Sequence, residues 1–310
     1  LIGVYDKVDN IRKFHKTDIA LFGGILIFIN LIFLIIFDLV LDLNLFNEST
    51  STREYFSFCF GITLFFFLGF YDDKFNLSAN KKLFLNFLII LFLILLDDTL
   101  VIRQLNFTFI ENPVDLRNFS HLFTILCILL FINALNMFDG INLQAGTFSL
   151  IIFVIFLSKD IFILLNTILI ISLIVFLVFN FQNKMFLGDS GTHLLAFVIS
   201  YMIIKSYNIK QSFSPEEIFV ILSLPGLDMF RLFLHRIIKN KNPFKSDRNH
   251  IHHLILKKLS PINTYLLIQL FVIINVSIFY NFQNKLNILF LNLFLYIVLF
   301  LFFFQGRKKN

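Results

Sequence analysis

The sequence predicts an all-α, polytopic integral membrane protein with about ten transmembrane helices. Of its 310 residues, 58% are hydrophobic and only 15% are charged, and the mean hydropathy is +0.83. Soluble domains carry about a quarter charged residues. Apolar runs close to the length that crosses a hydrocarbon core of about 30 Å recur along the chain. We therefore expect one membrane-embedded domain over residues 1–310, not a soluble protein with a single core.

Ten apolar segments define the expected helices. Several are short for a full crossing, and the eighth contains Pro225-Gly226, which should kink or break it. Cys59 and Cys127 both lie inside apolar runs, so they indicate core or lipid-facing residues, not a disulfide framework. The segments lie near 19–38, 56–71, 83–97, 119–136, 147–158, 161–179, 192–206, 218–235, 262–280 and 287–304.

The loops between these segments alternate in charge, which predicts the orientation of the chain. One set of loops holds 18 of the 26 basic residues and the other holds seven. Cytoplasmic loops of membrane proteins are enriched in Lys and Arg, so the first set is expected to be cytoplasmic. The net charge of +6 is therefore mostly a topology signal, and no nucleic-acid partner is expected.

Adjacent carboxylates end the second segment, in "GFYDDKFNLSANKKL". Asp72 and Asp73 repel each other, so a divalent cation is a natural partner for the pair. The alternative is a solvated helix end. Lys81 and Lys82, which follow, are either topology anchors or phosphate contacts.

Two further polar motifs interrupt the apolar pattern. "NALNMFDGINLQAG" places Asn136, Asp139 and Asn142 at the end of the fourth segment, where they either form a functional site or simply cap and turn the helix. "FLGDSGTHLLAF" places Asp189 between glycines at the start of the seventh segment, where a helix amino terminus favours negative charge.

A histidine cluster follows the eighth segment, in "NPFKSDRNHIHHLILKKL". Arg248, His250, His252 and His253 lie in a basic loop, which suits a phosphate-bearing ligand because charged donors bind phosphate oxygens strongly. Zinc is an alternative, although no Cys lies nearby and zinc needs about four ligands. A structural loop is the third reading.

The motifs together predict more than any one of them. All fall in loops of the predicted cytoplasmic set, as does a fifth, "DKVDNIRKFHKTDIALFGG". Carboxylates that bind Mg²⁺, together with basic residues that bind phosphates, are typical of phosphoryl transfer.

With these motifs in this order, the chain resembles the polyprenyl-phosphate N-acetylhexosamine-1-phosphate transferases, glycosyltransferase family 4. The resemblance extends over nearly the whole chain and includes "GFYDD", "FLGDSG", "LPGLDMFRLFLHRI" and "DRNHIHHLIL". The last of these is similar to the branch of undecaprenyl-phosphate N-acetylglucosaminyl-1-phosphate transferases. The implied reaction transfers a sugar phosphate from a UDP-N-acetylhexosamine to a polyprenyl phosphate and releases UMP, and it starts a cell-envelope glycan.

The resemblance also implies a role for each matching residue. Asp189 and Asn136 match positions that hold Mg²⁺, with Mn²⁺ as an alternative. Asp72 and Asp73 match a pair near the metal and the lipid phosphate, and they are candidate catalytic residues together with Asp139. Whether one of the pair acts as a base stays open. The candidate substrate-binding residues are Asn142, Lys82, Arg248, His250, His252 and His253.

The chain departs from the family pattern at some positions. Most bacterial members have Asp where this chain has Asn142, and the resemblance to the eukaryotic branch implies uracil recognition by this amide. Members usually have one more span before the first motif, so we expect the amino terminus to be truncated. The family also implies a bacterial cytoplasmic membrane, an active site facing the cytoplasm and a possible homodimer. The sugar stays open, and the alternative function is a membrane transporter for a divalent metal or small anion.

Overall fold

The protein is a bundle of long α-helices with two short two-stranded hairpins. A computed structural model describes residues 5–6, 19–43, 45–46, 51–240 and 249–304. The strands are β1 (Tyr5–Asp6), β2 (Ile19–Ala20), β3 (Gln104–Leu105) and β4 (Val114–Asp115), and β1 pairs with β2 and β3 with β4, both antiparallel. The helices are α1 (Gly23–Leu41), α2 (Thr52–Phe75), α3 (Ala79–Leu96), α4 (Ser120–Phe138), α5 (Gln144–Ser158), α6 (Ile163–Phe181), α7 (Gly188–Lys205), α8 (Pro215–Ile238), α9 (Ile251–Leu256), α10 (Pro261–Asn281) and α11 (Lys285–Phe304).

The ten long helices occupy the ten predicted apolar segments, which confirms the all-α, polytopic fold class. Within the described residues, eight of them are long and apolar enough to cross a membrane. The other two, α5 and α7, belong to the same bundle but do not meet this criterion of length and composition. Helix α5 has only 15 residues, and α7 begins with the polar sequence GDSGTH. A helix that is surrounded by protein needs less apolar surface than a helix that faces lipid.

Of the kink or break predicted at Pro225-Gly226, the break is wrong. Helix α8 runs without interruption from Pro215 to Ile238, with Pro225 inside it. A proline removes one helical hydrogen bond, but packing against neighbouring helices compensates for this loss inside membrane proteins. Here α8 packs against α4, α10 and α11.

Helix α7 forms the centre of the bundle. Every residue from Ser190 to Lys205 is buried, and the helix packs against α1, α2 and α4. Glycines allow this close packing, because a Cβ atom at Gly24 would collide with the backbone of Gly191, and one at Gly69 would collide with the backbone of Asp189 and Ser190. The amino terminus of α7 is therefore held against α1 and α2.

A polar cluster around Lys205 lies at the end of α7, opposite to the end of the bundle where α7 begins with Asp189. Lys205, at the end of α7, donates to Glu54 Oε2 at 2.7 Å and pairs with Asp97 Oδ2 at 2.8 Å. Glu54 lies at the start of α2 and Asp97 caps the end of α3. At 1.5 Å per residue, Lys205 lies about 24 Å along the helix from Asp189. The two ends are thus separated by nearly the thickness of a hydrocarbon core.

Local sequence signals set the helix starts. Ser51 and Glu54 form a capping box at the start of α2. Ser214 and Ser260 cap α8 and α10, and a proline follows each of them in the first turn. At the other end of α2, Asn76 is left-handed at φ 51° and turns the chain into α3. This turn brings the end of α2 beside the start of α3, where the candidate site is built.

Candidate active site

Polar side chains from four helices converge at one end of the bundle. The Lys82 ammonium of α3 lies 2.7 Å from Asp189 Oδ2 of α7 and 3.4 Å from Asn136 Oδ1 of α4. It also forms an ion pair with Asp72 Oδ2 of α2. Asp72 is buried, and the side chain of Asp189 is 32% exposed. Four predicted site residues therefore form one contact network that opens to solvent at Asp189.

Asn136 is held in a defined orientation within this network. Its Nδ2 donates to Asp189 Oδ1 at 2.5 Å and to Thr192 Oγ1 at 3.0 Å. The Oδ1 atom therefore faces Lys82. Three oxygen atoms, from Asp72, Asp189 and Asn136, thus surround a single cationic group.

Asp73 faces α7 instead of Lys82. The Asp189 and Ser190 backbone amides donate to Asp73 Oδ1 and Oδ2, at 2.7 and 3.0 Å. Gly188, which precedes them, has φ +73°, and a Cβ atom there would lie 2.8 Å from Asp73 Oδ2. Asp73 therefore caps the helix that carries Asp189 and fixes the position of that carboxylate.

Asp139 ends α4 beside this network. Burial, with a smaller contribution from the charges of Asp189 and Asp73, raises the pKa of its carboxyl to about 7. Burial is the main reason that a charged Asp139 is disfavoured, and the neighbouring carboxylates Asp189 and Asp73 add to it. A cation would relieve the repulsion between these carboxylates.

The oxygen atoms around Lys82 fit a hard divalent cation. Mg²⁺ is usually bound by one or two carboxylates, with substrate phosphates and water supplying the other ligands. Asp72 and Asp189 supply two carboxylates, and Asn136 adds an amide oxygen. Across the residues that the structure describes, no group of three or more His, Cys, Asp or Glu side chains is arranged to hold a metal by itself. A divalent cation held here would need further ligands, such as phosphate oxygens or water.

The histidine loop is anchored to α8. Asp228 Oδ2 lies 2.9 Å from His250 Nδ1, and Asp228 Oδ1 accepts from the Ile251 amide at 3.0 Å. Arg231 Nη2 donates to Asp228 Oδ1 and to the Asn249 carbonyl, both at 2.7 Å. Asp228 and Arg231 of α8 therefore both contact the start of the loop.

His252, in the short helix α9 that follows the loop, lies against the turn that follows Asp139. Its ring lies where a Cβ atom of Gly140 would be, so only glycine leaves room for it. His252 is buried, and within the described part of the chain neither ring nitrogen has a hydrogen-bond partner. Burial lowers its pKa well below the ordinary value, and the neighbouring His253 and His250 lower it further. This ring is therefore neutral in the folded protein.

The remaining predicted residues are placed differently. The side chain of His253 is half-buried, and its ring centroid lies 4.2 Å from the ring centroid of His252. Asn142 Nδ2 donates to Asn183 Oδ1 at 2.6 Å and to the Asn180 carbonyl at 3.2 Å, so it lies against the end of α6, with no direct contact to Lys82. Arg248 and most of the first motif lie outside the described residues.

Sequence reasoning missed two parts of this arrangement. The sequence analysis assigns no role to Asp228 and Arg231, although their i,i+3 spacing already places them on one helix face. His193 Nδ1 contacts the Asp189 carbonyl at 2.8 Å, and its Nε2 lies 3.4 Å from Asn86 Nδ2. Asn86 lies one turn after Lys82 in α3, and His193 lies one turn after Asp189 in α7, so a second contact joins the same two helices. No pattern in the sequence indicates this contact.

The family comparison identifies the class of protein that has this fold and site. Residues 55–207 match glycosyl transferase family 4. This range includes the DD pair, Lys82, the Asn136 motif and Asp189. The chain belongs to this family, and it is a membrane-embedded phospho-sugar transferase.

Curated relatives agree over most of the chain. A Bacillus subtilis protein named probable undecaprenyl-phosphate N-acetylglucosaminyl 1-phosphate transferase is 30% identical over 261 residues, which cover 81% of this chain and 69% of that protein. Undecaprenyl-phosphate alpha-N-acetylglucosaminyl 1-phosphate transferases from Salmonella typhi and Yersinia pestis are each 27% identical over 268 residues, covering 83% of this chain and 70% of theirs. The predicted family is confirmed, and the transporter alternative finds no support.

Proposed function

We propose that this protein transfers N-acetylhexosamine 1-phosphate from a UDP-N-acetylhexosamine, UDP-N-acetylglucosamine or a derivative, to a polyprenyl phosphate such as undecaprenyl phosphate. An oxygen of the lipid phosphate forms a bond to the β-phosphorus of the donor. The bond from that phosphorus to the bridging oxygen breaks, and UMP leaves with the bridging oxygen. The product is a lipid-linked pyrophosphoryl sugar that starts a cell-envelope glycan.

One observation carries this proposal: Asp72, Lys82, Asn136 and Asp189 meet at the end of four different helices. An arrangement of carboxylates around one ammonium group suits a reaction between two phosphate groups, whose charge must be neutralised as they approach. The names of the relatives support the same chemistry. The arrangement does not favour transport, because Asp228 and Arg231, the charges in the middle of α8, form an ion pair with each other.

Mg²⁺, or Mn²⁺ in its place, fits the oxygen atoms of Asp72, Asp189 and Asn136. When bound there, it would neutralise the donor pyrophosphate and favour departure of UMP. Asp73 would not bind the cation itself. It would hold Asp189 in place, because it accepts hydrogen bonds from the backbone amides at the start of α7.

The basic and aromatic groups around the carboxylates would bind the phosphates. Lys82 would contact the pyrophosphate as a point charge. Arg248, His250, His252 and His253 would cover the phosphates and sugar from the loop before α10. The lipid phosphate is already ionised at neutral pH, so the reaction does not require Asp72, Asp73 or Asp139 as a base. Asp139 would instead tune the charge of the site.

Asn142 would recognise the uracil ring. Its Nδ2 is used by Asn183 and Asn180, which leaves Oδ1 to accept a hydrogen bond from the N3–H group of the base. This role would place the nucleoside near the turn between α6 and α7, with the pyrophosphate extending toward Asp189.

The active site would face the cytoplasm of a bacterial inner membrane, where UDP-sugars are made. The support is the excess of basic residues in the loops that the sequence predicts to be cytoplasmic, 18 against seven in the other loops.

The test of this function is product identification. Membranes that contain the protein would be incubated with undecaprenyl phosphate, MgCl₂ and one UDP-N-acetylhexosamine at a time, followed by mass spectrometry of the lipid and measurement of UMP. We expect UMP and lipid product in equal amounts, and neither with Asp189→Asn. Glu217→Gln, which alters a buried carboxylate in α8 far from the site, serves as the control. Failure to form product with every donor would refute the proposal.

A further inference from the structure

Asp228 is a buried carboxylate that the proposed reaction does not use. It lies in α8, 3% exposed, in a span that is otherwise mostly apolar. A charge buried in this way is costly unless it is paired and hydrogen-bonded. The residues that pair with the Asp228 carboxylate therefore indicate its role in the protein.

The partners of Asp228 come from three parts of the chain. Within α8, Arg231 donates to Oδ1. From α11, the Tyr296 hydroxyl lies 3.3 Å from the same oxygen and 3.0 Å from Arg231 Nε. From the histidine loop, His250 Nδ1 and the Ile251 amide contact one carboxylate oxygen each. The carboxylate thus joins the loop to two membrane helices.

The contact with His250 fixes which ring nitrogen carries hydrogen. Asp228 is paired with Arg231 and accepts the other hydrogen bonds as a carboxylate, so it has no hydrogen to give. Nδ1 of His250 must therefore be the donor in this contact. The ring is held by Nδ1, and Nε2 remains for a ligand. The rings of His250 and His252 are nearly parallel, 5° apart in plane, with centroids separated by 5.6 Å.

We infer that Asp228 is a positioning residue: it orients His250 through Nδ1 and thereby presents Nε2 of this ring to the phosphates of the donor. This inference rests on the proposed function for the identity of the ligand. The orientation of the ring does not, because it follows from the contacts of Asp228 alone.

A purely structural ion pair is the competing explanation, and α8 contains a suitable comparison. Glu217 is also buried in α8, accepts from the Tyr280 hydroxyl at 2.5 Å and pairs with Lys159 at 2.9 Å. It precedes Asp228 by three helical turns, about 16 Å along the axis. Glu217→Gln therefore removes a similar buried charge without touching the histidine loop.

The first measurement is a double-mutant cycle on kcat/KM for the UDP-sugar. Asp228→Asn and His250→Ala should each lower it by roughly ten- to a hundredfold, as expected when a hydrogen bond to a charged group is lost. If Asp228 acts through His250, adding Asp228→Asn to His250→Ala should cause little further loss. Glu217→Gln combined with His250→Ala should instead give the product of the separate effects. A multiplicative result for Asp228 and His250 would overturn the inference.

The second measurement does not depend on activity. In protein labelled with ¹⁵N-histidine, signals that disappear in His250→Gln belong to His250. They should show hydrogen on Nδ1 in the wild type. In Asp228→Asn the amide can donate to the ring, so hydrogen should move to Nε2. An unchanged pattern would also overturn the inference. Absence of transferase activity in the wild type, together with the expected NMR shift, would instead refute the proposed function and leave the ring orientation established.

Discussion

The Lys82 ammonium lies 2.7 Å from Asp189 Oδ2, where it is surrounded by the oxygens that fit a divalent cation. It contacts Asp72 and Asn136 at the same time. A lysine and a divalent cation cannot both occupy this position. Binding of a cation therefore requires the Lys82 side chain to move, and phosphate oxygens would give its charge a new partner.

We predict that Lys82→Met binds Mn²⁺ more tightly than the wild type when no nucleotide is present. Methionine is similar in length but carries no charge, so it does not compete for the three oxygens. The expected gain is about tenfold, comparable to one charge-assisted contact. Turnover should nevertheless fall, because a phosphate contact is lost. Titration followed by electron paramagnetic resonance would measure the free Mn²⁺.

The matched control for this prediction is Lys81→Met. Lys81 is exposed and adjacent in sequence, so this variant changes the net charge by the same amount. Its Mn²⁺ affinity should equal that of the wild type. Equal affinities for Lys82→Met and Lys81→Met would show that the ammonium does not compete with the cation.

Asp73→Asn should reduce stability as well as turnover. An asparagine cannot accept from both α7 amides, because one of its two polar atoms is a donor. Loss of a helix cap costs about 1–2 kcal/mol. We expect a lower thermal unfolding midpoint in detergent for Asp73→Asn, whereas Asp189→Asn should lose turnover with a smaller change in the midpoint. The same midpoint in Asp73→Asn and the wild type would contradict a capping role.

The difference between Asp72 and Asp73 shows how far the sequence can predict this site. The ten apolar segments predict both residues at the end of the second segment, and the structure has both of them in the last turn of α2. Consecutive residues on a helix point about 100° apart, so only one of the two can face Lys82. Which one does so depends on how α2 is rotated against α7, and that rotation is set by tertiary contacts at Gly69.

His250 shows a second limit of the same kind. Its spacing within the motif indicated a ligand-binding loop, but its partner Asp228 is 22 residues away, in a different helix. A polar pair inside an apolar span predicts that the two charges neutralise each other. The hydrogen bond from the loop to that pair depends on the packing of α8 against the loop, and no local pattern encodes it.

Asn142→Asp should be tolerated better than Asn142→Leu. Aspartate keeps an oxygen that can accept from uracil, while leucine keeps neither acceptor nor donor. Aspartate also loses the donated bonds to Asn183 and Asn180, so KM for the UDP-sugar should still rise. Steady-state kinetics with one donor would measure this. The same KM for both variants would argue against a uridine contact.

The orientation in the membrane can be tested at two exposed positions. In a variant with Cys59 and Cys127 replaced by serine, a cysteine at Ser78 should be labelled by an impermeant maleimide only in inverted vesicles. A cysteine at Glu111, in the loop between β3 and β4, should be labelled in intact cells. Labelling of Ser78→Cys from outside the cell would overturn the proposed orientation.

His252 should make the stability of the protein depend on pH. Burial and the nearby His253 and His250 lower its pKa below the ordinary 6.5, and Asp228 opposes this only in part. Below pH 6.5 the unfolded chain binds a proton at this position that the folded protein does not. The stabilising contribution is therefore complete above pH 6.5 and is lost as the pH falls, with a slope of up to about 1.4 kcal/mol per pH unit. Chemical denaturation between pH 5 and 8 would measure this slope.

His252→Gln should reduce the slope, whereas His121→Gln, which removes an exposed imidazole, should leave it larger than in the His252 variant. Equal slopes in the wild type and His252→Gln would mean that the buried ring accepts its proton as easily in the folded protein as in the unfolded chain.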